Sequence, residues 1–252
     1  MPVGGDAAGI AVNELTGMVY VTNFDAKSVS VISALTNKVV ATIPVGSQPA
    51  GVAVDPLTNT VYVANSRSSR HTVVVLSGQT NRAVARIHVR SDPLSVAVDP
   101  LTDMIYVIGS NPHPTSQGTM SAVSGRTSRV LATIPMGTGP GSVAVDPLTN
   151  TIYFTSNLGS TVSAVGGRTN KVLATVPTGR APSDVAVNPL TDTIYVANSG
   201  DGTILLISGH GDTPLATIST GNAGSFPIAV AVNPLTNTTY VANLSTVVSV
   251  LH

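Results

Sequence analysis

The side chains that could do chemistry in this chain are few, and most of them are basic. Arg67, Arg70 and His71 share one serine-rich stretch, and Arg90 and Asp92 lie together in a later connecting stretch. Guanidinium and imidazolium groups bind carboxylates and phosphates through charge-assisted hydrogen bonds. The cluster therefore predicts a binding site for a small anionic ligand. The alternative is a set of solvated surface charges that contribute little.

A second kind of chemistry would need an acid–base pair. Asp184 precedes a Val-Ala-Val triplet, and a single carboxylate there could act as a base, an anion or a metal ligand. The related stretches of the chain hold small residues at the same position: Gly9, Gly51, Ser95, Ser142 and Ala229. His113 could work with Asp184 as the second catalytic group. The alternative is that Asp184 caps backbone N–H groups of its own loop.

These candidates are positioned by a repeat. Close copies of Val52–Ser66, VAVDPLTNTVYVANS, occur six times, and they are anchored by all six tyrosines of the chain: Tyr20, Tyr62, Tyr106, Tyr153, Tyr195 and Tyr240. An apolar triplet, a tight turn and an alternating apolar run form a β-hairpin. Asp55 can accept a backbone N–H two residues on, and Pro56 fixes the φ angle that the turn needs next. A repeat of about 42 residues built from such hairpins indicates a β-propeller or another repeat array.

Each full repeat contains four predicted strands, labelled A to D. In the second repeat they are Gly51–Asp55, Thr60–Asn65, Thr72–Leu76 and Ala83–Val89. Strand D carries proline in other repeats: Pro44, Pro135 and Pro177. Proline cannot donate to a sheet, so strand D is predicted to be the outer edge. We therefore predict an all-β fold, a six-bladed β-propeller of four-stranded antiparallel blades that spans residues 1–252 as one domain.

The insertions between repeats are predicted to lie on one face. Strand direction alternates, so the B–C loops and the D–A connections emerge at the same end of each blade, here called the top face. The extra residues fall in the B–C loops of the second and third repeats and in the D–A connection before the sixth. Such insertions usually carry recognition. Arg180, Phe24 and Phe226 lie on this face too, and together the candidates predict a funnel with a cationic wall and an apolar wall.

The YVTN sequence at Tyr20–Asn23 and the GVAVDPLTNTVYVANS pattern resemble the YVTN β-propeller repeat family over essentially the whole chain. The third and fourth repeats depart from the motif, with Gly109 and Ser156 in place of Asn. The resemblance implies the propeller fold and an extracellular or cell-surface location, because the family includes surface-layer proteins. Gluconolactonase-type propellers are more distant, and their calcium ligands are not present here. The corresponding positions hold Ala50, Leu94, Gly141, Ser183 and Ile228.

The composition argues against several functional classes. Lys plus Arg and Asp plus Glu each number 12, so the net charge is zero, which is unlike a general nucleic-acid or membrane-surface binder. The sequence has no apolar run that predicts insertion into a membrane. Without cysteine, neither a disulfide nor a thiolate metal site can form. Met1 leads directly into the first repeat, which predicts no signal peptide in this chain.

The last repeat is predicted to lack most of its outer strand. Its final residues, TVVSVLH, align with strand C of the first repeat, and only Met1–Gly4 resembles the end of a strand D. The sixth blade should therefore have three strands and an apolar edge. An unprotected edge strand invites pairing with another chain, so self-association through the edge of blade six is predicted.

Two functional hypotheses follow from these observations. The leading one is a recognition or scaffold propeller that binds a protein partner or a small anionic ligand at the funnel of the top face. The alternative is a propeller enzyme, a lyase or hydrolase similar to streptogramin lyases, with Asp184 and His113 at the top of the central channel. The sequence contains no serine-hydrolase elbow, zinc-protease motif or phosphate loop. The cofactor stays undetermined, with a divalent cation as one option for the enzyme.

Overall fold

The computed structural model of the chain describes residues 2–68, 70–111, 117–221, 225–244 and 247–251. Its regular elements in these ranges are β-strands, which form six antiparallel sheets in which hydrogen-bonded neighbours are consecutive in sequence. Five sheets have four strands and the last has three. The prediction of a six-bladed β-propeller with an incomplete last blade is confirmed.

The first three blades contain twelve strands. Blade 1 is β1 (Ala7–Asn13), β2 (Met18–Asn23), β3 (Ser28–Ser33) and β4 (Lys38–Pro44). Blade 2 is β5 (Gln48–Asp55), β6 (Thr60–Ser66), β7 (Thr72–Ser77) and β8 (Arg82–His88). Blade 3 is β9 (Asp92–Asp99), β10 (Met104–Ser110), β11 (Gln117–Ser124) and β12 (Arg129–Thr138). The strands predicted for the second repeat are thus confirmed, although strand A begins three residues earlier, at Gln48.

The last three blades contain eleven strands. Blade 4 is β13 (Pro140–Asp146), β14 (Thr151–Ser156), β15 (Thr161–Gly166) and β16 (Lys171–Pro177). Blade 5 is β17 (Pro182–Asn188), β18 (Thr193–Asn198), β19 (Thr203–Ser208) and β20 (Thr213–Ser219). Blade 6 is β21 (Pro227–Asn233), β22 (Thr238–Asn243) and β23 (Val248–Leu251).

The chain divides into two compact units. One is Met1–His113 with Thr119–Ile134, and the other is Pro114–Gly118 with Pro135–His252. The first therefore holds most of blades 1 to 3, and the second holds blades 4 to 6.

The A–B turn is fixed by the side chain that ends strand A. Asp55 Oδ1 accepts the backbone N–H of Leu57 at 2.9 Å and of Thr58 at 3.3 Å, so the predicted bond two residues on is confirmed. The turn closes at Asn59, whose φ of 52° lies in the left-handed region that Asn, Asp and Gly tolerate best. This explains why the last residue of the DPLTN or DPLTD turn is always one of these types.

The blades of each unit pack through two repeated faces. The Tyr face of a blade carries the strand-B tyrosine and its neighbours on strand C, and the Val face is the opposite side of the sheet. In the first unit Tyr20 and Val31 of blade 1 share one buried cluster with Val61 and Val63 of blade 2. In the second unit Tyr195 of blade 5 lies in a cluster with the Val face of blade 6. Each such contact is a Tyr face covered by the Val face of the next blade.

Burial of the six tyrosines divides them into two groups. Five are at most 6% exposed: Tyr20, Tyr62, Tyr106, Tyr153 and Tyr195. Tyr240 of blade 6 is 46% exposed. The predicted burial of the repeat tyrosine is therefore confirmed in blades 1 to 5, and blade 6 is the exception because its Tyr face is not covered.

The difference in burial predicts that removal of the tyrosine ring lowers the free energy of unfolding by different amounts in blades 5 and 6. Tyr195→Ala should lower the free energy of unfolding by about 3–5 kcal/mol, because it empties a buried position between two sheets. Tyr240→Ala is the matched control at the same repeat position, and it should cost less than half as much. Chemical denaturation of the two variants gives the comparison. Equal losses would contradict the assignment of Tyr240 to an uncovered face.

Polar pairs also join neighbouring blades at their A–B turns. Asn13 Nδ2 donates to Asn59 Oδ1 at 2.9 Å, and Asn188 Nδ2 donates to Asn237 Oδ1 at 2.8 Å. Each bond links the residue that ends strand A to the last turn residue of the next blade. The bond ties two turns together where both strands A end.

Between blades 4 and 5 the same two positions hold Asp146 and Asp192. Asp146 is fully buried, and neither its Oδ2 nor Asp192 Oδ1 has a hydrogen-bond partner in the described part of the chain. Burial and then the charge of Asp146 raise the pKa of the Asp192 carboxyl. Two acceptors thus meet where the junctions of blades 1 with 2 and of blades 5 with 6 place a donor and an acceptor.

Replacing Asp146 by Asn should restore the donor and stabilise the protein near neutral pH by about 1 kcal/mol. The raised pKa of Asp192 means that the wild type loses stability as the pH rises through that value. The gain of Asp146→Asn should therefore shrink in acid, where the carboxyl pair binds a proton. Melting temperatures across pH test this, with exposed Asp25→Asn as the control of equal charge change. A gain that does not depend on pH would contradict it.

Candidate functional site

A polar pocket of about 220 Å³ opens between blades 1 and 2. Three cationic or titratable side chains line it, Arg70, Arg86 and His88, and no carboxylate is among the lining residues that the structure describes. The remaining lining residues are small or polar: Gly46, Ser47, Asn65, Ser68 and Thr72. Ligand pockets usually exceed roughly 300 Å³, so this one fits a small group and not a drug-sized molecule.

Backbone oxygens hold two of the basic side chains in place. Val45 O accepts one hydrogen bond from Arg86 Nη1 at 3.2 Å and another from Asn65 Nδ2 at 2.8 Å. His88 Nδ1 lies 3.2 Å from Arg70 O. Arginine carries five N–H donors in a planar fork, and the bond to Val45 uses one nitrogen of Arg86. The fork therefore retains donors for a ligand in the pocket.

The pocket is built from departures from the repeat. Arg86 stands in strand D of blade 2, where the other complete blades have threonine: Thr42, Thr133, Thr175 and Thr217. His88 stands where three other blades have proline. Arg70 comes from the extra residues of the B–C loop. Three changes that the scaffold does not require thus converge on one pocket at the top face, beside strand D.

The sequence predicts Arg70 as a ligand-binding residue and does not single out Arg86. Arg86 lies inside strand D, whose pattern is that of the repeat scaffold. The signal that could have identified it is the Thr-to-Arg departure at a position that is otherwise constant in complete blades. The pocket lies on the strand-D side of the blade, whereas the predicted funnel lies at the strand-A side.

Arg67 and Phe24, predicted for opposite walls of the funnel, contact each other. The Arg67 guanidinium carbon lies 5.7 Å from the centroid of the Phe24 ring, which is within the range of a cation–π interaction. The backbone N–H of Arg67 donates to Asp92 Oδ2 at 2.9 Å. The bond therefore joins the B–C loop of blade 2 to the start of strand A in blade 3, and Phe24 contacts that loop from blade 1.

Four further residues predicted to bind the ligand are Arg180, Arg90, Phe226 and His71. Arg180 pairs with Asp201 in the second unit, with Nε 2.5 Å from Oδ1, and the hydrogen bonds from Arg180 lower the pKa of the Asp201 carboxyl. Arg90 and Phe226 are exposed, and His71 is half-buried with a φ of 44°. These four residues are not among those that line the pocket. His113 lies outside the described residues.

Asp184 joins strands A of three neighbouring blades in the second unit. Its Oδ2 accepts the backbone N–H of Val230 in blade 6 at 2.8 Å, and the Ser142 side chain of blade 4 hydrogen-bonds to it. Burial raises the pKa of the Asp184 carboxyl, and the bonds from Ser142, Val230 and Val185 act in the opposite direction. The carboxylate accepts hydrogen bonds from backbone N–H groups, as the capping interpretation of the sequence expects. One of the two donors, Val230, belongs to the neighbouring blade.

The small residues at the equivalent positions have a packing reason in the first unit. A Cβ at Gly9 would lie 2.5 Å from Ala50 O, and one at Gly51 would lie 2.8 Å from Leu94 O. Backbone atoms of the next strand A thus occupy the space that a side chain would need. Glycine at these two positions is explained by close approach of neighbouring blades.

The position of Asp184 predicts a structural role that can be separated from catalysis. Asp184→Ala should lower the free energy of unfolding by about 1–3 kcal/mol, because the Val230 N–H loses its acceptor in a partly buried place. Asp184→Asn keeps an acceptor oxygen and should recover most of the loss. Denaturant unfolding of both variants is the measurement. An Asp184→Ala variant as stable as the wild type would exclude the bridging role.

The described part of the chain contains no group of three or more His, Cys, Asp and Glu side chains that could hold a metal ion. Within these same ranges, no helix has the length and apolar character needed to cross a membrane.

Comparison with known proteins supports the fold. No protein-family model matches the chain, and no curated protein matches it. Among solved structures, hydrazine synthase of Kuenenia stuttgartiensis is similar with a TM-score of 0.86 and 19% identity. The match covers 98% of this chain and 83% of that one. At this identity the likeness is one of fold alone.

Proposed function

We propose that this chain is a recognition propeller of the YVTN-repeat type that binds a small anionic ligand in the pocket between blades 1 and 2. The observation that carries the proposal is the convergence of Arg70, Arg86 and His88 on one pocket. All three depart from, or are added to, a repeat that otherwise maintains the fold.

The chemistry of the pocket selects the class of ligand. Arginine forks match carboxylate and phosphate oxygens through paired hydrogen bonds, and the hydroxyls of Ser47 and Thr72 can donate to the same oxygens. The volume of about 220 Å³ suits a phosphate or carboxylate group, either free or as the end of a larger partner that stays outside. Recognition of a partner would then use the top-face loops around the pocket.

The geometry favours binding over catalysis. Asp184, the predicted base, is engaged by Val230 and Ser142. The pocket offers two guanidinium groups that suit an anion, and its imidazole, His88, is held through Nδ1 at 3.2 Å from Arg70 O. The role that fits is therefore a binding one.

Titration calorimetry with inorganic phosphate at low ionic strength tests this function. Arg86→Thr installs the residue of the other complete blades, so the fold should tolerate it, and phosphate affinity should fall by about tenfold or more because a charge-assisted bond is lost. Arg82→Thr is the matched control, since it removes the same charge from the exposed start of the same strand. Its affinity should stay within about twofold of the wild type.

Equal weakening in both variants would show only nonspecific attraction to positive charge and would overturn the proposal. The same holds if the wild type gives no heat of binding with phosphate or with a small carboxylate such as acetate.

A further inference from the structure

Among the described residues that line the anion pocket, His88 is the one whose charge can change near neutral pH. Arg70 and Arg86 stay protonated in proteins, whereas an imidazole changes its charge between about pH 5 and pH 8. The other lining residues are uncharged, and they come from the remaining elements around the pocket: Gly46 and Ser47 from the connection between blades 1 and 2, Asn65 from strand B, Ser68 from the B–C loop and Thr72 from strand C. Of these residues, only His88 can alter the charge of the pocket.

The hydrogen bond of His88 fixes where the proton of its neutral ring sits. His88 Nδ1 lies 3.2 Å from Arg70 O, and a backbone carbonyl oxygen can only accept a hydrogen bond. Nδ1 therefore carries the hydrogen and donates it, in the neutral ring and in the imidazolium alike. Nε2 is the atom that takes up a proton in acid. Acid thus adds a positive charge to the ring without breaking the bond to Arg70.

The loop that carries Arg70 is attached to strand D by a second bond. The backbone N–H of Val89 donates to His71 O at 2.9 Å, next to the bond from His88 to Arg70 O. Within the loop, Ser68 O accepts the N–H of His71 at 3.1 Å. These two backbone bonds do not involve the imidazole, so the loop is held in either charge state of His88. Protonation therefore changes the charge of the pocket and leaves its two arginines in place.

We propose that His88 makes anion binding in this pocket dependent on pH, with uptake of a proton from solvent at Nε2 coupled to binding of the ligand. The inference rests on the proposed function, because it concerns the same pocket. The protonated ring adds a third positive charge to those of Arg70 and Arg86, and it adds an N–H donor for an oxyanion. Because the coupling is reciprocal, the anion favours the protonated ring and is itself bound more tightly in acid.

The size of the effect depends on the charge of the ligand. Coulomb attraction grows in proportion to that charge, so a sulfate or phosphate group with two negative charges gains more from protonation than a carboxylate with one. Phosphate groups change their own charge near neutral pH, whereas sulfate stays doubly charged. Sulfate is therefore the probe that reports the protonation of the protein alone.

Titration calorimetry with sulfate at low ionic strength tests the inference. The wild-type affinity should rise by about fivefold or more between about pH 8 and pH 6. His88→Gln keeps a side-chain N–H donor but cannot titrate, so its affinity should stay close to the wild-type value at the higher pH. His88→Lys carries a fixed charge, and it should bind tightly at both pH values. His88 lies at the exposed end of strand D, so the fold should tolerate both changes, and circular dichroism checks this.

A second readout measures the proton directly. Near neutral pH the wild-type heat of sulfate binding should vary with the ionisation enthalpy of the buffer, because the buffer supplies the proton, and the heat for His88→Gln should not. His210→Gln is the matched control, since it removes another exposed histidine, from the C–D turn of blade 5. This control should keep the pH dependence of the wild type.

The possible outcomes separate this inference from the proposed function. Sulfate binding that Arg86→Thr weakens but that pH does not change would retain the anion pocket and overturn the role of His88. A pH dependence that persists in His88→Gln, or that disappears in His210→Gln, would overturn that role as well. A wild type that binds no sulfate at any pH would overturn the proposed function and this inference together.

Discussion

The interaction on which this protein depends is the packing of a Tyr face on the Val face of the next blade. A four-stranded sheet is stable only if its apolar faces are buried and only its polar faces contact water. Here each blade buries an apolar face of its neighbour. Tyr20 of blade 1 is fully buried by blade 2, whereas Tyr240 of blade 6 is half exposed. The same residue type in the same repeat position therefore has a different environment, and the cause is the neighbour.

The features that distinguish one blade from another arise where a residue departs from the repeat pattern. Arg86 replaces a threonine in an outer strand without disturbing the ladder, and with Arg70 and His88 it lines a basic pocket. Asp184, which the sequence predicts as a catalytic base, accepts a hydrogen bond from the Val230 N–H of the adjacent blade. Both departures from the repeat thus bond to backbone groups, Arg86 to Val45 O and Asp184 to the Val230 N–H.

The sequence predicted the fold well, because strand periodicity, the Asp55-type turn and Pro44 in strand D are local signals. It predicted Arg70 for the site, since insertions stand out against a repeat. It could not predict that Arg67 stacks on Phe24 or that Asp184 reaches another blade, since both depend on distances between repeats. Whether Tyr240 is covered is likewise a question of neighbours that no local pattern answers.

The most direct test of the central claim is hydrogen exchange of the intact chain. Tyr195 of blade 5 is buried and Tyr240 of blade 6 is half exposed. If coverage by a neighbouring face sets the stability of each blade, β22 and β23 should therefore exchange much faster than β18 and β19. Equal protection of blades 5 and 6 would contradict the account, because it would mean that the exposed Tyr face does not reduce the stability of blade 6.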